Sequence, residues 1–119
     1  MKPKSYKKLV DRMINRWGED IIHYKKITTI TDVDLSEEYW AEPVLIKGQV
    51  SQLTGWVDTY EMFGKLVVAD YLITFKTGTD VSTGDKLKVK DDFCIITEKV
   101  SRSTAGVEDF IECLARRTG

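Results

Sequence analysis

The chain has 119 residues, a length typical of one domain, with 42% hydrophobic and 31% charged residues. These proportions are ordinary for a globular protein and argue against disorder along the whole chain. The net charge of −1 at pH 7 argues against a dedicated nucleic-acid-binding protein, which normally has a clear basic excess. No apolar run approaches the roughly 20 residues of a membrane span, and residues 1–10 lack the apolar core of a signal peptide. We therefore expect a single domain, 1–119, that is made in a cytoplasm and has no membrane partner.

The pattern of residues 5–17 predicts one amphipathic helix. Apolar side chains recur there at the spacing of one helical face, namely Tyr6, Leu9, Val10, Met13, Ile14 and Trp17. Gly18 follows the last of them, as a helix C-terminal cap often does. Two placements stay open for this stripe: packing on the rest of the domain, or docking on a neighbouring subunit.

A first strand is predicted within residues 19–31, where Ile22 and Tyr24 alternate with His23 and Lys25. This alternation places the lone histidine on the exposed face. The nearby sequence holds no cysteine and no second histidine, so we predict no metal site.

The segment 32–43 contains five acidic residues and no basic residue. It superficially resembles a calcium-binding loop, but Glu37 stands where that loop needs Gly and Pro43 where it needs Glu. We predict a solvated acidic connection or a short helical turn, with Tyr39 and Trp40 anchoring it to the core.

Residues 44–53 alternate in polarity and predict a second strand. The next segment, bracketed by Gly55 and Gly64, is unusually aromatic for a loop. Two interpretations stay open: a further strand pair of the barrel with Trp56 and Tyr60 in its core, or a projecting loop, 54–64, that contacts a partner or a pore. The candidate plug or partner residues of that loop are Trp56, Asp58, Tyr60, Met62 and Phe63.

The C-terminal half alternates short apolar runs with turns rich in Gly, Asp, Ser and Thr. It predicts a central strand over 65–76, a short strand over 86–90 and a final pair over 93–100 and 107–117. The fold class that follows is mainly β. We expect a small antiparallel β-barrel or sandwich of about six or seven strands over 21–117, with one N-terminal amphipathic helix.

Cys94 and Cys113 are the only cysteines. Both lie about equally far from a turn predicted at Ser103 and Thr104, so they could face each other across a hairpin. The pattern favours two free, buried side chains in a reducing compartment, with a disulfide as the alternative.

No motif for catalysis is present in the sequence. It contains no Gly-rich phosphate loop, no nucleophile elbow and no Ser/His/Asp set. An unrecognised centre around Asp70, Asp85 or His23 is disfavoured because no nucleophile and base can be paired there. We therefore predict no catalytic residue, no cofactor and no enzyme.

Charge clusters near both ends of the chain and in the acidic segment are candidate intersubunit contacts. They are Lys7, Lys8, Arg12, Arg16, Glu37, Glu38, Arg116 and Arg117. The pattern favours a solvated surface for these clusters. In the alternative interpretation, the basic helix of one copy binds the acidic segment of the next, an arrangement suited to a ring.

Four segments carry a resemblance to a known family. They are an apolar strand at 66–75, the turn GTDVSTGDKL at 78–87, the hairpin VKDDFCIITEKVSR at 89–102 and the last strand GVEDFIECLARR at 106–117. Together they make about half of the chain similar to tailed-bacteriophage head-completion proteins, also called stoppers or head-closure connectors.

The resemblance implies a non-enzymatic virion protein of the head–tail junction, or neck, assembled in the host cytoplasm. It would form a homo-oligomeric ring, a hexamer or dodecamer, between the portal or adaptor on one side and tail proteins on the other. Such a ring closes the DNA channel after packaging, and packaged DNA passes through it. An inter-strand loop can act as the plug, with 55–64 as the first candidate and 101–106 as the second.

Two alternatives remain at this point. One is another ring protein of the neck or tail, an adaptor or a tail terminator. The other is a small OB-like barrel that binds single-stranded nucleic acid, using Tyr24, Trp56, Tyr60 or Phe75 as stacking platforms.

Overall fold

Residues 6–31, 35–53, 56–58 and 66–118 are described by a computed structural model. Within them one helix, α1 (Lys7–Trp17), precedes ten strands. The strands are β1 (Glu19–Tyr24), β2 (Lys26–Thr31), β3 (Leu35–Trp40), β4 (Val44–Gln52), β5 (Trp56–Asp58), β6 (Leu66–Val68), β7 (Tyr71–Lys76), β8 (Lys86–Val89), β9 (Asp92–Thr104) and β10 (Val107–Arg117).

Six of these strands close into an antiparallel barrel in the order β1–β4–β7–β10–β9–β8, with β8 pairing back to β1. The mainly β class and the N-terminal helix predicted from the sequence are confirmed. Of the two architectures left open, the chain adopts the barrel and not the sandwich.

Alternating side chains fill the barrel. Along β7, for example, Tyr71, Ile73 and Phe75 are buried while the residues between them are half-buried. Gly48 on β4 faces this core, and a Cβ added there would lie 2.9 Å from side-chain atoms of both Ile73 and Phe75. The missing side chain therefore leaves the space that the phenyl ring occupies.

The strand directions divide the connections between two ends of the barrel. At the upper end, β2 and β3 link β1 to β4, residues 77–85 link β7 to β8, and a turn at Ala105 and Gly106 links β9 to β10. At the lower end, α1 enters β1, β5 and β6 link β4 to β7, and a turn at Lys90 and Asp91 links β8 to β9.

Two hairpins extend from these opposite ends. The pair β2–β3, the upper hairpin, and the pair β5–β6, the lower hairpin, are each a two-stranded sheet separate from the barrel. The molecule is correspondingly elongated, with principal-axis extents of 55 × 31 × 29 Å.

The helix packs on the outside of β4, β7 and β10 through part of its apolar stripe. Ile14 is fully buried, whereas Leu9 and Trp17 are 55% and 60% exposed. Lys47 on β4 donates from Nζ to the backbone oxygen of Asn15 across 3.2 Å and fixes the end of the helix to the barrel. No helix in the described ranges has the length and apolar character needed to cross a membrane.

The prediction for the acidic segment 32–43 is wrong for residues 35–40, which form a strand. Glu37 and Glu38 of β3 pair with Thr29 and Thr28 of β2. The β-branched run in β2 offers a partner strand, and backbone hydrogen bonding to it prevails over the acidic composition. Residues 32–34 of the segment lie outside the described residues.

Tyr39 and Trp40 are 51% and 39% exposed, so the prediction that they anchor this segment to the core is also wrong. They end the upper hairpin, where it joins the barrel, and their rings remain on the surface.

The predicted exposure of His23 is wrong because the alternation in β1 has the opposite phase. Ile21 and His23 point into the barrel, with only 6% of the histidine exposed. The single strand predicted over 19–31 is two strands, β1 and β2, that separate at Lys25 and belong to different sheets.

Two strand predictions in the C-terminal half change in extent. The run 65–76 is divided at Ala69 and Asp70, so that β6 belongs to the lower hairpin and β7 to the barrel. The predicted loop 101–106 shrinks to the turn at Ala105 and Gly106, because β9 continues to Thr104.

The shifted turn moves the two cysteines out of register. Cys113 pairs with Lys99, and Cys94 pairs with Arg117. Both cysteines are free and fully buried, so the favoured interpretation holds and a disulfide between facing cysteines does not form.

Candidate assembly surfaces

A buried carboxylate organises the upper end of the barrel. Asp85, only 1% exposed, accepts hydrogen bonds from His23 Nε2 at 2.7 Å, from Lys26 N at 3.1 Å and from Ser82 N at 3.0 Å. Each oxygen of Asp85 accepts one backbone N–H, and with this carboxyl as the acceptor the proton of the histidine contact lies on Nε2. The three donors belong to β1, to the start of the upper hairpin and to the loop 77–85. Asp85 therefore connects these three segments through hydrogen bonds to one side chain.

An exposed ion pair lies beside this buried site. Lys25 donates from Nζ to Asp80 Oδ1 across 2.9 Å and is 4.0 Å from Asp85 Oδ2. The hydrogen bond from Lys25, reinforced by its positive charge, holds the pKa of the Asp80 carboxyl below its usual value. The sequence analysis named His23 and Asp85 only within a disfavoured catalytic centre and did not pair them. They are 62 residues apart, and the inward direction of His23 is known only when the phase of β1 is known.

Polar contacts around the end of β10 close the lower end of the barrel. Arg117 donates from its backbone nitrogen to Asp70 Oδ2 at 2.7 Å, and its Nε lies 3.7 Å from Asp70 Oδ1 and 3.8 Å from Asp92 Oδ2. Tyr71 donates its hydroxyl to Asp92 Oδ2 at 2.8 Å. Burial raises the pKa of Tyr71 to about 12, so the hydroxyl keeps its proton. Asp70 is thus half-buried and hydrogen-bonded in a structural contact.

The outer face of α1 is apolar and basic. Arg12 and Arg16 stand two positions either side of Ile14 and therefore point away from the barrel. A groove of about 480 Å³ lies along this face and is lined by Leu9, Arg12, Met13, Asn15, Arg16 and Trp17. The Arg16 guanidinium lies 5.2 Å from the centre of the Trp17 ring. Lys7, Lys8, Arg12 and Arg16, all predicted contacts, are exposed on this helix.

A row of outward side chains crosses β4, β1, β8 and β9 on another side of the barrel. Ile22 pairs with Leu45 and with Lys88, and Lys88 pairs with Phe93. Leu45 and Phe93 are 66% and 41% exposed. A cleft of about 510 Å³ runs from this row to the lower end, where its rim carries Glu19, Asp20, Lys90 and Asp91.

One lysine lies among three aromatic rings above this row. Lys86 Nζ is 4.6 Å from the ring centre of Phe93, 4.9 Å from that of Tyr24 and 5.8 Å from that of Trp40. At these distances the ammonium interacts favourably with the ring faces. This cluster joins the base of the upper hairpin to β8 and β9.

The predicted plug residues fall in the lower hairpin. Trp56 and Asp58 are in β5 and pair with Val68 and Leu66 of β6. The other three members, Tyr60, Met62 and Phe63, lie outside the described residues. Residues 56–58 therefore form a strand, but its pair with β6 is separate from the barrel, so the interpretation as a further strand pair of the barrel is wrong for these residues.

The predicted intersubunit residues do not form one surface. Glu37 and Glu38 are in the upper hairpin, the four basic helix residues are on α1, and Arg116 and Arg117 end β10 at the lower end. Arg117 already binds carboxylates of its own chain, whereas Arg116 is exposed opposite Ile95 of β9.

Across residues 6–31, 35–53, 56–58 and 66–118, no group of three or more His, Cys, Asp or Glu side chains is arranged to hold a metal ion. The chain matches no protein-family model. Comparison with curated proteins likewise gives no match.

Proposed function

We propose that the chain is a structural subunit of the neck of a tailed bacteriophage. In this proposal, copies of the chain form a ring that closes the DNA channel after packaging and provides the docking surface for the tail. The observation that supports it most directly is a rigid six-stranded barrel with a hairpin at each end. A subunit between two other rings needs contacts above and below it, and the hairpins supply one for each direction.

The sides of the barrel also suit a ring subunit. Closed rings are built from heterologous contacts, in which two different faces of each copy meet. One side of this barrel presents an apolar and basic helix, and another presents an apolar row with an acidic rim. The barrel interior is filled by core side chains such as Phe75 and Ile96, so DNA passes through the centre of the ring and not through the barrel.

The lower hairpin is the proposed plug. Of the two loops considered from the sequence, the alternative at 101–106 is reduced to a tight turn, whereas Trp56 lies in a strand pair that is separate from the barrel and links β4 to β7 at its lower end. Aromatic side chains on such an extension can pack against copies of themselves at a ring centre or against a neighbouring ring.

The test is deletion of the gene in its phage, followed by electron microscopy of the particles. Heads that leak DNA or lack tails, found beside free tails, support the proposal. Normal infectious particles contradict it. Heads that keep their DNA but carry tails of abnormal length favour a tail terminator over a stopper.

Complementation of the deletion phage then tests the plug. The variant Trp56→Ser/Tyr60→Ser is expected to fold but to release DNA from the head. The control, Val107→Ser, changes an exposed apolar side chain outside both hairpins and is expected to retain DNA. Equal retention by both variants contradicts the placement of the plug.

The lysine–aromatic cluster favours a second candidate, a barrel that binds single-stranded nucleic acid. Tyr24, Trp40 and Phe93 around Lys86 combine ring faces with a positive charge, as single-strand-binding surfaces do. Phe75, named above as a stacking platform, is fully buried, and that role is wrong for it. Binding of a labelled oligonucleotide that weakens with salt, and that Lys86→Glu abolishes, would support this candidate over the neck protein.

A further inference from the structure

We propose that the groove on α1 of one copy docks into the lower cleft on β1 and β8 of the next copy. This interface rests on the proposed function, because it joins neighbouring copies in the proposed ring. It differs from the contact considered from the sequence, in which the basic helix binds the acidic segment 32–43 of the next copy. The helix surface is formed by Leu9, Arg12, Arg16 and Trp17, and the cleft surface by Asp20, Ile22, Leu45 and Asp91.

The order of strands places these surfaces on different sides of the barrel. Going round it, β4, β7 and β10 are consecutive and carry α1, while β9, β8 and β1 complete the circle. The cleft belongs to β1 and β8 and reaches the helix-bearing half only at Leu45 on β4. One copy can therefore use both surfaces at once, which head-to-tail assembly requires.

The two surfaces approach each other near the lower end of the barrel. Asn15 in the last turn of α1 accepts a hydrogen bond from Lys47, and Lys47 is the direct register partner of Asp20. Both surfaces therefore reach this end of the barrel, and we expect the contact between copies to have little rise. Repetition of such a contact closes a ring, whereas a contact with a rise produces a helical filament.

The side chains on the two surfaces are complementary. The helix surface carries Leu9 and Trp17, both more than half exposed, together with two arginines, and the cleft offers the 66% exposed Leu45 as its apolar counterpart. Asp20 and Asp91 are exposed at the acidic end of the cleft, where the two arginines find opposite charges. Lys88 also lines the cleft, and its Nζ lies 5.7 Å from the ring centre of Phe93. Glu19 and Lys90 on the same rim already bind each other across 2.8 Å, so they add little to the net charge there.

Charge reversal on purified full-length protein tests the interface by analytical ultracentrifugation. The helix variant, Arg12→Glu/Arg16→Glu, and the cleft variant, Asp20→Arg/Asp91→Arg, should each weaken self-association by at least about tenfold, since like charges then meet. Mixing the two variants should restore it, because each variant supplies the surface that the other lacks. The control is Glu42→Arg, an exposed position away from both surfaces, which should assemble normally.

Three outcomes would overturn the interface: reversed variants that assemble like the wild type, mixtures that do not recover, or a wild-type chain that stays monomeric at every concentration. None of these outcomes tests the proposed function, because electron microscopy of particles from the deletion phage tests it independently. Circular dichroism on each variant excludes loss of the fold as the cause of weakened association.

Discussion

His23 and Asp85 are 62 residues apart in the sequence and meet across 2.7 Å inside the upper mouth of the barrel. Both side chains are almost fully buried, and the carboxylate also holds the backbone at Lys26 and Ser82. The pair therefore sets the direction in which the upper hairpin leaves β1. A buried polar contact of this kind specifies one arrangement of the chain more than it adds to the total stability.

Replacing Asp85 with Ala should lower the free energy of unfolding by about 3 kcal/mol, because His23 and two backbone amides lose their acceptor. Chemical denaturation measures this loss. Asp80→Ala is the matched control, since 80% of that side chain is exposed, and it should stay within about 0.5 kcal/mol of the wild type. Equal losses at both positions would contradict the structural role of Asp85.

On the helix, Ile14→Ala should cost about 2–5 kcal/mol, because this side chain is fully buried against the barrel. Leu9→Ala should change the stability of the isolated subunit by no more than about 0.5 kcal/mol, because the side chain is largely exposed. Thermal melts of the two variants compare them directly. A larger loss for Leu9 would mean that the outer groove is covered within the monomer.

The thiols should be inert in the folded protein. Burial raises the pKa of Cys94 to about 11 and that of Cys113 to about 12, so neither forms the reactive thiolate at pH 8. Ellman's reagent should therefore detect almost no thiol in the native protein and two per chain in denaturant. Rapid reaction of one thiol under native conditions would show that β9 or β10 opens locally.

Glu108 should make stability depend on pH in the acid range. Hydrogen bonds from the hydroxyls of Ser101 and Thr77 hold the pKa of this carboxyl below its usual 4.5. Its stabilising effect is present above pH 4.5 and is lost as the pH falls through the lower folded-state value.

The variant Glu108→Gln should melt roughly 3 °C lower than the wild type at pH 7, and the gap should close at acidic pH. The exposed Glu42→Gln serves as the control and should shift the melting point little at either pH. A gap that widens on acidification would reverse the sign assigned to Glu108.

Local patterns in the sequence were sufficient to predict the C-terminal strands and their turns. Leu87 and Val89 face the core while Lys86 and Lys88 face outward, as alternation predicts. The turn glycines have the backbone conformations that favour glycine, with φ of 83° at Gly78 and 94° at Gly84, in line with the turns predicted there. These features depend on residues close in sequence, which is the range over which such patterns carry information.

The features that could not be predicted from the sequence depend on pairing between strands that are far apart in the chain. Alternation in β1 is compatible with either phase, and only its pairing with β4 and β8 places His23 inside. Likewise β3 exists because it has β2 as a partner, not because its own composition favours a strand. The cleft also depends on long-range pairing, because it combines β1, β4 and β8, which are not consecutive in the sequence.

The two hairpins also leave backbone groups available for pairing at their edges. The barrel satisfies its own strands by closure, but in the described residues β2 pairs only with β3, and β5 only with β6. Each hairpin strand therefore presents an edge with unpaired N–H and C=O groups to which a strand from another chain can add. Before assembly, these edges favour aggregation. In the proposed ring, main-chain pairing at the same edges would tolerate changes of side chain, so contacts with the rings above and below could diverge in sequence while their geometry is retained.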